Sequence, residues 1–162
     1  MSLQDRIGSH GEFVFQALIS RRCGRKFYFH PIFMGEKHPT TDMTVELLDP
    51  TRIRSLFYVQ VKSTTLGYNG LETGRKLRVD ITADDIENLK CYPGPTDLVG
   101  IDADKDRGFL VGVTSTVYGP INGLSTRHPL NCRNIRALWA EVDAYWNSAS
   151  RPIPMATTAF TP

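Results

Sequence analysis

Gln60 and Lys62 stand two residues apart in Phe57-Tyr58-Val59-Gln60-Val61-Lys62-Ser63. Aromatic and β-branched residues dominate this run, so it reads as a strand that is mostly buried. Residues i and i+2 of a strand point to one face, which sets an amide and an ammonium side by side. Lys is among the side chains least often fully buried, and a buried one needs a partner. The sequence must therefore supply an acceptor for both groups.

The preceding segment supplies one. Asp42-Met43-Thr44-Val45-Glu46-Leu47-Leu48 alternates, with Met43, Val45 and Leu47 on one face and Asp42, Thr44 and Glu46 on the other, the pattern of a half-buried strand. Asp49-Pro50-Thr51-Arg52 fits a turn with Pro at its second position. An antiparallel hairpin around that turn pairs residues whose numbers sum to about 103, placing Asp42 opposite residues 60–62. Asp42 is the predicted partner of Gln60 and Lys62. The bland alternative is a polar edge strand on which Lys62 discourages edge-to-edge pairing. Glu46 reads as a solvated strand residue, and Asp80 and Asp85 as capping or surface carboxylates.

The remaining elements must position these groups. Leu3, Ile7, Gly11, Val14 and Leu18 recur at helical spacing, predicting an amphipathic helix over about 3–21 with Glu12 at the edge of its apolar stripe. Gly8 and Gly11 weaken that helix but permit close approach to a sheet. Strands are predicted over 27–33, with Pro31 favouring an edge, and over 75–81, 97–102 and 108–113. Thr82 caps a helix over about 83–91, with Asp84 and Asp85 in its first turn. Residues 35–41, 67–74 and 119–129 read as loops. Ile135, Leu138, Trp139, Val142, Tyr145 and Trp146 stripe a helix over about 134–148. The order predicts one α/β or α+β domain over 1–150, with a mixed central sheet flanked by helices, and a mobile Pro- and Thr-rich tail over 151–162.

An acidic residue at the start of one strand, followed on the next by (Asp/Glu/Gln)-x-Lys, resembles the PD-(D/E)xK nuclease superfamily of restriction endonucleases and Holliday-junction resolvases. The matching residues are Asp42, Gln60-Val61-Lys62 and, on a preceding helix, Glu12. Tyr58-Val59-Gln60-Val61-Lys62-Ser63-Thr64 looks like the Gln-x-Lys variants, including stand-alone bacterial domains with a QVKS signature. The resemblance spans about residues 5–115 in element order. It implies a restriction-endonuclease-like fold and Mg²⁺-dependent (or Mn²⁺-dependent) phosphodiester hydrolysis, on DNA rather than RNA, in defence, repair or mobile-element biology. By the resemblance Asp42 is the principal metal ligand, Gln60 offers its amide oxygen and Val61 its backbone carbonyl. Lys62 orients or deprotonates the water, and Glu12 binds metal through water or positions the helix. Arg52, Arg54, Arg75, Lys76 and Arg78 are candidate phosphate contacts, and a homodimer is among the arrangements the resemblance permits. Two departures stand out: Gln60 replaces a carboxylate, and Thr41 precedes Asp42 where the pattern has Pro. Both leave room for a module that binds nucleic acid without cutting it.

Composition narrows the rest. A chain of 162 residues, 41% hydrophobic and 22% charged, is long enough for its own core and too apolar for disorder. The charge of +2 permits a nucleic-acid partner without requiring one. Cys23, Cys91 and Cys132 are odd in number and far apart, predicting free thiols in a cytoplasmic protein. No apolar run is long enough to span a membrane. His10, His30, His38 and His128 lack metal-ligand spacing, and no glycine-rich phosphate loop is present. Trp139 and Trp146 read as core or dimer contacts.

Overall fold

The structure is a computed structural model that describes residues 1–35 and 40–162. The centre of the predicted 35–41 loop, His38 included, lies outside the described residues. The chain runs through helix α1 (Leu3–Ile19), strands β1 (Phe29–Phe33), β2 (Met43–Leu47), β3 (Leu56–Thr64), β4 (Tyr68–Asn69) and β5 (Lys76–Ile81), and helix α2 (Ala83–Lys90). Strands β6 (Thr96–Asp102), β7 (Arg107–Gly112) and β8 (Ile121–Ser125) and helix α3 (Cys132–Asn147) follow. The fold is mixed α+β, as the element order predicts.

Five strands form the central sheet in the order β1-β2-β3-β6-β7, and β4-β5-β8 form a smaller sheet. All pairings in the large sheet are antiparallel except β3 with β6. A parallel neighbour needs a crossover, which β4, β5 and α2 provide. Strand β3 is therefore the middle strand of five. The edge-strand reading of Gln60 and Lys62 is corrected by this position. Pro31 does lie on an edge strand, opposite Val45.

The period-2 pattern divides the strands between two cores. Met43, Val45, Phe57, Val59 and Val99 face α1 and α3, where they meet Phe15, Ile19, Ile135 and Leu138. Leu98 and Val111 face the other way, onto Leu77, Ile81, Ile86, Leu89 and Leu124 of β5, α2 and β8. On β3 the odd positions thus serve the α1/α3 side and the even positions the α2 side.

Local chemistry sets the helix ends. Ser2 and Asp5 close a capping box at the start of α1, and the Thr82 hydroxyl accepts from the Asp85 N–H at the start of α2. Gly11 lets α1 rest on β3: a Cβ there would lie 2.4 Å from Ser63 Cβ, and the Ser63 hydroxyl donates to the Ile7 carbonyl at 2.8 Å. Gly8 has no such role, since a Cβ there would meet open space. Trp139 and Trp146 cap the opposite end, donating to the carbonyls of Leu48 and Leu56 at 2.9 and 2.8 Å.

Three expectations are corrected. Residues 119–129 are not all loop, because β8 pairs with β5. The register of that pair slips by one between Leu77 and Asp80, and the bulge breaks the alternation by which a strand is recognised. Cys23 and Cys132 are not free: they form a disulfide across Cα atoms 5.4 Å apart, where the chain after α1 meets the start of α3. Cys91 alone is a free thiol.

The tail over 151–162, expected to be mobile, covers the outer edge of β7. Phe160 is buried in the first core, the Gly112 N–H donates to the Phe160 carbonyl at 2.8 Å, and the Ser115 N–H to that of Met155 at 2.9 Å. The Thr158 hydroxyl and the Ala159 N–H both donate to the Glu141 carboxylate, at 2.7 and 2.8 Å.

Candidate functional site

The β2–β3 ladder pairs Met43 with Val59 and Thr44 with Tyr58, a sum of 102, one less than the turn position predicts. Asp42 lies one residue before the ladder, where the regular register stops, and is tied to β3 at Val59 and Val61, on either side of Gln60. Its own N–H donates to the Val59 carbonyl at 2.9 Å, and its Oδ2 accepts the Val61 N–H at 2.6 Å. The second bond holds the carboxylate against β3 instead of letting it swing into solvent.

Gln60 and Lys62 occupy even positions and face α2, as does Tyr58, whose ring lies 4.9 Å from that of Tyr92. The Lys62 ammonium meets Asp85 Oδ2 at 3.6 Å. The partner that Lys62 requires is thus drawn from α2 as well as β2. Asp85 is the site residue that sequence reasoning misses, because its place in the first turn of α2 reads as a capping or surface carboxylate. It is the third helical residue after the Thr82 cap, so its backbone N–H serves the cap while its side chain reaches Lys62.

Charge in this cluster is finely balanced. Burial pushes the Asp42 carboxyl above its ordinary value of 3.8; the Val61 N–H and the Lys62 ammonium pull it down, and the Asp85 carboxylate pushes it up again. Desolvation outweighs the two groups that favour the ion. Asp42 is a carboxylate for which a nearby cation relieves a standing cost.

Gln60 is 4% exposed, and no hydrogen-bond donor among the described residues reaches its buried Oε1. The buried hydroxyl oxygen of Thr41, next to Asp42, is likewise without a partner. Buried polar atoms are seldom left so. An orphaned amide oxygen on the face shared with a desolvated carboxylate suits a hard cation, which takes oxygen ligands. The donor set is sparse: no group of three or more Asp, Glu, His or Cys side chains placed to hold a metal ion occurs among the described residues. An ion here would be held through Asp42 and the Gln60 amide and would keep several of its waters, as Mg²⁺ commonly does.

The other predicted residues divide. Glu12 is half-buried on α1, one residue past the Gly11–Ser63 contact, near the Lys62 end of β3 but on the helix that covers the odd face. Val61 presents its N–H, not its carbonyl, to Asp42. Arg78 and Asp80 of β5 line one cleft with Lys62, Thr64 and the first turns of α1, and the cleft continues over Lys76. Arg75 lines a different pocket. Arg52 and Arg54 lie in the loop before β3, roughly 25–35 Å of extended chain from Lys62, and Arg54 is engaged by Glu46. The structure does not bring these two to the site.

Comparison with protein-family models, with curated proteins and with solved structures returns no match for this chain. Among the described residues, no helix is long and apolar enough to cross a membrane.

Proposed function

We propose that the protein is a divalent-cation-dependent nuclease that hydrolyses phosphodiester bonds, with Asp42, Gln60, Lys62 and Asp85 as its working side chains. The observation that carries this reading is a desolvated carboxylate held by the Val61 N–H, on the same sheet face as an orphaned amide oxygen and an ammonium. A structural ion pair needs neither the orphaned oxygen nor the uncompensated burial of Asp42.

When bound, Mg²⁺ or Mn²⁺ supplies Lewis-acid polarisation of a nonbridging phosphate oxygen. Asp42 and Gln60 hold and orient that ion from one strand end. The Lys62 ammonium directs the attacking water and offsets charge building on the phosphoryl oxygens. Asp85 keeps the Lys62 side chain from leaving for solvent, and Glu12 steadies the helix that closes the cleft. Arg78 and Lys76, along the continuing cleft, provide sequence-independent phosphate contacts. DNA is the favoured substrate.

A second reading is a nucleic-acid-binding module that does not cut. It is favoured by the absence of a three-carboxylate cluster among the described residues. Purified protein incubated with linear, nicked, branched and single-stranded DNA, with and without Mg²⁺ or Mn²⁺, separates the two. Cleavage that stops on chelation supports the nuclease. Salt-sensitive binding with every substrate left intact supports the module.

A further inference from the structure

We infer that the pocket between Arg21, Arg75 and Arg107 is a binding site for a phosphate group, distinct from the Asp42 site. Three separate segments deliver these residues: the chain just after α1, the residue before β5 and the first residue of β7. They line one pocket of about 400 Å³ whose apolar wall includes Leu18, Phe109 and Leu130. That volume exceeds a bare phosphate and suits a phosphate carrying a small organic group.

Convergent guanidiniums repel unless something negative lies between them, and here the local acids are engaged elsewhere. None of the three arginines has a carboxylate partner among the described residues. Asp106 shares the pocket wall, but its Oδ1 is taken by His10 Nε2 at 2.9 Å. Asp102 is buried; it accepts the Tyr68 hydroxyl at 2.6 Å and the N–H groups of Asp104 and Lys105 at 3.1 and 3.3 Å.

The arginines are also partly placed in advance. The Arg75 guanidinium lies 4.6 Å above the centre of the Tyr68 ring, with Lys105 at 5.3 Å. Arg21 donates one Nη1 bond to the Leu130 carbonyl at 3.3 Å, which fixes one corner of its fork and leaves its other N–H groups available. Planar forks of this kind match phosphate oxygens two at a time. A merely solvated basic face has no reason to gather cations from three segments over an apolar floor.

The pocket stands apart from the cleft at Lys62. Helix α1 contributes Ile7 to that cleft and Leu18 to this pocket, about 16 Å apart along the helix axis. The inference therefore does not depend on cleavage at Asp42. The phosphate has two sources in chemistry: a small free phosphoester, or a phosphate of a nucleic-acid strand.

Calorimetric titration of the whole chain at fixed low salt, without metal, tests this with three probes: pyrophosphate, adenosine 5′-monophosphate and a 5′-phosphorylated DNA decamer. Saturable binding of at least one probe is expected. It should weaken at least about fivefold in both Arg107→Gln and Arg21→Gln. Equal affinity for the small probes and the decamer assigns a free phosphoester. A decamer bound more than about tenfold tighter, with a salt slope that falls by about one for each arginine removed, assigns a nucleic-acid phosphate. No saturable binding of any probe, or binding indifferent to both substitutions in variants that melt with the wild type, overturns the inference.

Discussion

The Val61 N–H donates to Asp42 Oδ2 across 2.6 Å, joining the strand that carries Gln60 and Lys62 to the carboxylate that serves them. The bond lies at the end of β2, where the ladder has just stopped and a side chain can replace a backbone partner. It fixes the carboxylate's orientation. Burial at the same point makes its charge costly, and carboxylates perturbed in this way are concentrated at functional sites.

Asp42→Asn separates the two aspects. The amide oxygen can still accept the Val61 N–H, while the buried charge is gone. Thermal unfolding should occur at an unchanged or slightly higher temperature, and Mg²⁺-dependent cleavage should fall by at least about a hundredfold, the scale of removing one charge-stabilising group. Melting curves and single-turnover cleavage on the same sample check both. A variant that unfolds earlier but still cuts would show that Asp42 is structural.

The raised Asp42 pKa also sets a pH dependence. The carboxylate, the form that holds a cation, is lost on acidification at a pH above the ordinary 3.8. Between 3.8 and that raised value the folded state binds more protons than the unfolded one, so this group's stabilising contribution is present at low pH and is lost as pH rises. Cleavage rate should climb with pH along an acidic limb, and that limb should move to lower pH as Mg²⁺ is increased, because proton and cation compete for Asp42. A limb that ignores Mg²⁺ would divorce the titrating group from the ion.

Gln60→Glu places a second carboxylate where the amide oxygen now lies unpartnered. With Gln60 4% exposed, a new charge is costly without a counter-ion. The variant should melt lower than wild type in chelator and recover with Mg²⁺ by several °C more than wild type does, following the ligand-linkage relation. Melting temperature against Mg²⁺ concentration is the measurement. Equal responses in the two proteins would place Gln60 outside the ion's reach.

Asp97 offers a test of the scaffold. It is buried on β6, where desolvation first and the Glu141 carboxylate second push its pKa well above 3.8. Its folded pKa is raised, so stability from this group is greatest at low pH and falls as pH rises from 3.8 towards the folded value. Asp97→Asn should therefore melt above wild type at pH 7–8, by a few °C, since about 1 kcal/mol moves a chain of this size roughly 2–4 °C. The gain should vanish near pH 4, as paired melting curves across pH would record.

The legible parts of this protein are those written locally. Alternation over 42–48 and the Pro50 turn fix the β2–β3 register to within one residue, enough to bring Asp42 to the neighbourhood of residues 60–62 before any coordinates. Thr82 reads correctly as a cap, and Gly11 as a point of close approach. What is hidden depends on contacts far apart in sequence. Asp85 looks like a helix-start carboxylate because its backbone is one; only the packing of α2 across β3 turns its side chain to Lys62. Cys23 and Cys132, 109 residues apart, have no spacing to betray them. Phe160 pins the tail from outside any helix or strand, which leaves no periodicity to detect.

Lys62→Ala is the decisive substitution for cleavage at this site. Its side chain is half-buried on the α2 face and paired at 3.6 Å with Asp85, so its removal should leave the far-ultraviolet spectrum intact. Cleavage of a DNA substrate in Mg²⁺ should be abolished in this variant and present in wild type prepared alongside it. Cleavage that survives Lys62→Ala at the wild-type rate would contradict the account.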